Sequence, residues 1–194
     1  MSSTARLVRF RRPARPTRAG SRILYPLDHA YRTTGLEPPA ATVVDAEALP
    51  EPYRRLLVHD SDMTHTLERH VGDRLLIRPL SMTLRGRWYF RRVLLVQSSS
   101  GRPVEMGAIR ISVDVLPARV RAEILRGEVP LGRILREAGL DYKSRPQRFL
   151  AITPNSEMMG VFWMREPQTL YGRQTVVTLN GAKIGQVVEV LPLV

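Results

Sequence analysis

VVTLNGAKIGQVVEV, residues 176–190, decides the fold class. Val176, Val177 and Leu179 run into Asn180-Gly181, and β-rich sequence leaves the pair from Ile184 to Leu191. Asn-Gly between two such runs specifies a type I′ hairpin, because both central residues must take positive φ. Ideal pairing across the turn sets Glu189 opposite Gly172. A glycine there leaves room for a ligand beside the carboxylate, or else marks a bulge or the end of pairing.

Towards the N-terminus the same two-residue period returns. Residues 73–84, 88–97 and 104–116 read as three successive strands, with Gly86 in the first turn and residues 98–103 as the second loop. Ile109, Ile111, Val113 and Val115 face one way, and Arg110, Ser112 and Asp114 the other. Pro117 then opens a helix with a stripe of Val120, Ile124 and Leu125 and a stop at Gly127. Leu131, Ile134 and Leu135 suggest a second helix ended by Gly139. Residues 149–152 read as a strand, followed by a Pro/Asn/Ser turn and an apolar patch over 158–164. Upstream, Tyr53, Leu56 and Leu57 have helical spacing. A further helical segment through Met63, Leu67 and His70 is capped by Asp60 or Ser61 and stopped by Gly72. The order implies an α+β fold, an antiparallel sheet with helices inserted between its third strand and its last ones.

The 194 residues suit one domain, and 43% hydrophobic content is enough for a core. No run is long and apolar enough to span a membrane, and the N-terminus lacks the apolar stretch of a secretory signal. The absence of cysteine excludes disulfides, thiolate zinc sites and thiol nucleophiles and agrees with a cytoplasmic location. Seven arginines between Arg6 and Arg22, with no acid before Asp28, carry more than half of the +12 net charge. Residues 1–35 read as a basic extension, disordered over 1–22, and residues 36–194 as the domain. The extension is either a solvated leader or an arm for nucleic acid, an anionic membrane or a partner. Residues 36–51 read as a connector, with Pro38, Pro39 and Pro50 among small residues.

Two charges stand on apolar strand faces. Arg91 shares a face with Tyr89, Val93 and Leu95, and Glu189 with Val187 and Leu191. A charge there is costly without a partner. Either both snorkel from strand ends, or they pair with each other, or an arginine fork holds a ligand carboxylate while the carboxylate receives a hydroxyl. His29, His59, His65 and His70 read as solvated, and His65 and His70 lack the i, i+4 spacing of zinc ligands. No metal or cofactor is expected.

Four segments in order resemble the chorismate pyruvate-lyase family: LLVHDSDMTHTLE (56–68), RWYFRRVLL (87–95), VPLGRIL (129–135) and LYGRQTVVTLNGAKIGQVVEVLP (170–192). GRPVEMGAIRI (101–111) also fits a strand of that family, so the resemblance covers residues 53–194. It departs at Asp62, where the family's DSMT reads DSDMT, and between the last turn and Glu189, which is one residue longer. A bulge there would change the register.

The resemblance implies a single-domain six-stranded antiparallel sheet with a ligand cavity beneath two helical flaps. It implies a cofactor-free lyase that splits chorismate into 4-hydroxybenzoate and pyruvate; the sequence leaves the oligomeric state open, a monomer being favoured. The family's ligand-contacting positions fall on Met63, Arg91, Leu131 and Glu189. Arg91 would bind the ring carboxylate and Glu189 the ring hydroxyl, the two forming the catalytic pair. The alternative on the same fold is a sensor that binds an aromatic carboxylate without converting it.

Overall fold

The computed structural model describes residues 23–192, so the Arg-rich stretch 1–22, with its expected disorder, lies outside the described residues. Seven strands form one antiparallel sheet: β1 (Ala40–Val44), β2 (Leu75–Arg85), β3 (Trp88–Gln97), β4 (Pro103–Ser112), β5 (Tyr142–Thr153), β6 (Leu170–Leu179) and β7 (Ala182–Leu191). Their order is β1-β5-β6-β7-β4-β3-β2, which puts the C-terminal strand at the centre. β7 is accordingly buried on both faces from Ile184 to Leu191, apart from the half-buried Gln186.

The expected count of six strands is short by one. The added strand is β1, which lies in the stretch read as a connector and pairs with β5 at the sheet edge. Five residues flanked by prolines carry too little alternation to be read as a strand. β5 also starts earlier than expected, at Tyr142. Its first half is polar and contains Pro146, whose missing N–H is accommodated where the register shifts between Pro146 and Arg148. At the other end, β4 stops at Ser112, whose hydroxyl bonds Asp114, and Val115 turns outward to 52% exposure instead of continuing the apolar face.

Two layers of helix cover the sheet. On one face lie α1 (Leu27–Thr33) and α6 (Ser156–Val161), where Leu27, Tyr31 and Met158 pack on Leu94, Met106 and Val188. The domain therefore begins before residue 36, because Leu24, Leu27 and Tyr31 of the expected extension are core residues.

The other face carries two separate clusters. α2 (Tyr53–Leu57) and α3 (Met63–Val71) bury Leu57, Met63 and Leu67 against Leu75, Leu95 and Leu191. α4 (Ala118–Arg126) and α5 (Leu131–Glu137) bury Ile124, Ile134 and Leu135 against Ile111, Val177 and Val187. Each buried leucine or isoleucine contributes about 2 kcal/mol of transfer free energy, so each helix pair is held firmly to its own half of the sheet. The seam between them is not filled in this way. Among the described residues no helix is long and apolar enough to cross a membrane.

Candidate functional site

The seam is a cavity with about 620 Å³ of space free of protein atoms, its open mouth included. Its floor is the sheet and its walls are the starts of α3 and α5. Met63, Arg91, Leu131 and Glu189, from four separate elements, all line it. Strand periodicity explains the floor. On β3 the odd-numbered residues Arg91, Val93 and Leu95 point into the seam, and their partners on β4 are Ile109, Gly107 and Glu105. Gly107 in turn pairs with Glu189 of β7. Arg91 and Glu189 are thus two strands and one two-residue step apart, roughly 12 Å between Cα atoms from standard sheet spacings. Two converging side chains and one six-membered ring can bridge that separation.

The walls are tied to each other. Asp62 caps α3 by accepting from the Thr64 N–H at 2.9 Å, replacing the expected cap at Asp60 or Ser61. Its other carboxylate oxygen accepts from Arg136 of α5 at 2.7 Å. A Cβ on Gly132 would stand 2.5 Å from that carboxyl, so the close approach of α5 to α3 requires a glycine there. Arg133 of α5 forms a second ion pair with Glu68 of α3. The extra acid of DSDMT therefore joins the two flaps.

Arg91 and Glu189 do not pair with each other, and neither snorkels, at 4% and 7% exposure. Glu189 is engaged by Arg173, whose Nε donates to Oε2 at 2.5 Å, and Thr175 Oγ1 donates to the same oxygen at 3.2 Å. Arg173 is fully buried. Its remaining donors are aimed at the carbonyls of Leu57 (3.1 Å), His59 (2.8 Å) and Ser61 (3.4 Å) between α2 and α3.

The hairpin register explains this pairing. The turn starts with Leu179 opposite Ala182, but a register shift between Val177 and Thr178 sets Arg173, not Gly172, opposite Glu189. Gly172 faces Val190, and the place of its missing side chain is taken by the Glu189 carbonyl. Of the alternatives open at Gly172, the structure shows the bulge and not the ligand gap.

His59 is half-buried between Leu56 O, which its Nε2 contacts at 2.8 Å, and Arg173, so it is not the solvated residue expected. Burial lowers its pKa, and the Arg173 charge adds to the shift.

Arg91 has a different status. Its only hydrogen bond is from Nη1 to the Val129 carbonyl at 3.2 Å, and its Nε has no partner among the described residues. Among the described residues no carboxylate is paired with it. Burial pulls its pKa below the ordinary arginine value, with Tyr89 opposing. Glu105 is a further polar group of the cavity, not among the residues expected from the sequence. It is 5% exposed, and burial, reinforced by the Glu189 charge and opposed by Arg173, holds its carboxyl well above the usual carboxylate range. Burial and the neighbouring Glu189 charge thus favour its protonated form. The signal was present: Glu105 and Gly107 continue the face of Ile109 and Ile111 backwards by two steps. Among the described residues Asp62 is matched by Arg136 and Glu189 by Arg173, whereas Arg91 has no acid partner.

No family model and no curated protein matches the chain. Solved structures do. PhnF from Mycobacterium smegmatis superposes with a TM-score of 0.50 at 12% identity, over 69% of this chain and 64% of that one. The two share a fold. YydK from Bacillus subtilis subsp. subtilis str. 168, described as a possible transcriptional regulator, gives 0.48 at 10% identity over 61% and 58%. The C-terminal domain of the histidine utilization repressor from Pseudomonas syringae pv. tomato str. DC3000 gives 0.39 at 14% identity over 61% and 92%. The chain thus spans less than two thirds of PhnF and of YydK. None of the three descriptions concerns chorismate.

Proposed function

We propose that the seam cavity binds a small ring carboxylate bearing an uncharged oxygen, and that the chain cleaves chorismate there to 4-hydroxybenzoate and pyruvate. One observation carries the reading. The four positions singled out by the lyase resemblance line a single cavity, in which a buried arginine has no acid partner among the described residues. A buried guanidinium without an acid is costly, and a ligand carboxylate that takes its fork offsets that cost.

In the reaction a base removes the ring proton at the hydroxyl-bearing carbon and the neighbouring C–O bond to the enolpyruvyl group breaks. The ring becomes aromatic, and the released enol becomes pyruvate. Aromatisation drives the step, so the protein contributes orientation and electrostatics. Arg91 holds the ring carboxylate. Glu189, fixed by Arg173 and Thr175 through one oxygen, presents the other to the ring hydroxyl or to the proton that leaves. Met63 and Leu131 supply apolar walls, and the joined flaps keep water out and slow product release.

A second reading, a sensor that binds the ring carboxylate without converting it, is favoured by two observations. PhnF shares the fold, and regulators stand among the similar structures. The single unpaired cation also matches a monocarboxylate better than chorismate, which carries two carboxylates. Incubation of the purified chain with chorismate separates the readings. Equimolar 4-hydroxybenzoate and pyruvate, slowed at least tenfold by Glu189→Gln, supports the lyase. No turnover together with saturable binding of 4-hydroxybenzoate removes the lyase and leaves the sensor.

A further inference from the structure

Glu105 has no part in the chemistry above, yet it is the most unusual group in the cavity. It sits on β4, two residues before Gly107, on the face that also carries Ile109 and Ile111. A Cβ on Gly107 would stand 2.9 Å from Glu105 Oε1, so the carboxyl leans along its strand over the glycine, towards the position flanked by Val93 and Glu189. A side chain at 107 would displace the carboxyl from that path. Oε2 is buried and has no hydrogen-bond partner among the described residues.

A buried carboxyl oxygen left unpaired costs about 1–3 kcal/mol, and a well-packed apolar residue in its place would avoid the cost. The surrounding charges come from three other elements: Glu189 on β7, Arg173 on β6 and Asp62 at the start of α3. Arg173 is committed to Glu189 and to backbone carbonyls, and Asp62 to Arg136. Among the described residues no group bonds Oε2 of Glu105, and the residue lines the cavity.

We propose that Glu105 is the group with which the cavity reads an uncharged oxygen on its ligand, selecting a ring with one carboxylate and one hydroxyl over a ring with two carboxylates. The inference rests on the ring-carboxylate reading of the cavity but not on catalysis. Arg91 takes the carboxylate end. At the other end the carboxyl of Glu105, whose protonated form burial and Glu189 favour, offers an O–H to a hydroxyl oxygen. The same place is hostile to a second carboxylate, because Glu189 lies there and the neighbouring Arg173 is already committed to it. Discrimination by a buried hydrogen-bonding group is stronger than discrimination by size, since the wrong ligand leaves the group unpaired.

The test is calorimetric titration of the full chain with 4-hydroxybenzoate, benzoate and benzene-1,4-dicarboxylate. The wild-type protein is expected to bind 4-hydroxybenzoate about tenfold more tightly than benzoate and to reject the dicarboxylate, a tenfold difference being one well-formed buried hydrogen bond. Glu105→Gln keeps an N–H donor and retains the preference. Glu105→Leu fills the same volume without a donor and brings 4-hydroxybenzoate and benzoate to within about threefold of each other. A Glu105→Leu protein that binds benzoate normally and still prefers 4-hydroxybenzoate tenfold overturns the role of Glu105 and leaves the ring-carboxylate reading intact. Failure of all three acids to bind the wild-type protein overturns both.

Discussion

Arg91 and Arg92 are consecutive on one strand and equally buried, at 4% and 3% exposure, yet they face opposite sides of the sheet with opposite consequences. Arg92 points towards α1 and α6. Glu157 fills its fork with two bonds of 2.6 and 2.8 Å, and its guanidinium lies 4.4 Å over the Tyr31 ring. Arg91 points into the seam and has one backbone carbonyl. Each leaves its Nε unbonded, so that atom does not distinguish them. The carboxylate does. Residue type and burial are therefore poor guides to function, and the informative quantity is the charge left over once every neighbour has been paired.

The largest expected effect follows from Arg91→Leu. Affinity for 4-hydroxybenzoate, read by calorimetry, should fall at least about 100-fold, roughly 3 kcal/mol, because the ligand carboxylate loses its cation. The urea midpoint of the same variant should hold or rise, since an unpaired buried charge has been removed. A clear fall in midpoint would mean that Arg91 is structural after all.

Arg92→Leu should do the reverse. Its urea midpoint should fall by the equivalent of about 2 kcal/mol, less than the 3–5 kcal/mol for breaking a wholly buried pair. The reason for the discount is that the Glu157 side chain is 24% exposed and water takes part of the load. Ligand affinity should stay within about twofold, as the cavity lies on the other face. Two variants that move stability in the same direction would erase the contrast between the faces.

The smallest effect sharpens the contrast between the cavity's two acids. Glu105 is held above its ordinary value of 4.5 by burial and by Glu189. The folded protein then binds a proton that the unfolded chain has lost. Its contribution to stability is present below pH 4.5 and drains away as pH rises through the folded-state value. Glu105→Gln should remove that component, flattening the decline in thermal midpoint above pH 4.5 by no more than one proton, about 1.4 kcal/mol per pH unit. An unchanged slope would show that Glu105 is ionised in the folded state.

Strand alternation made much of the cavity floor legible. Arg91 and Glu189 betray themselves as charges on apolar faces, and Glu105 stands on the face of Ile109 and Ile111, beyond the interruption at Gly107. Strand ends were less legible. β1 is too short to show a period, and Val115 leaves the pattern because a side-chain bond closes a turn after Ser112. Arg173 was hidden for another reason. The hairpin turn predicts an inward glycine opposite Glu189, and one register shift replaces it by an arginine.

By itself the sequence determined what is local: the Asn-Gly turn, the two-residue and helical periods, and hence an antiparallel sheet with inserted helices. These depend on backbone preferences and on neighbours within a few positions, which the chain carries wherever it goes. Only the tertiary structure decided which charges are paired. Glu189 is satisfied by Arg173 through a bulge, Asp62 by an arginine 74 residues away, Arg92 by a glutamate 65 residues away, and Arg91 by no acid. A pairing of that kind depends on register and on how two flaps meet over the sheet, and a shift of one residue in either is enough to change it.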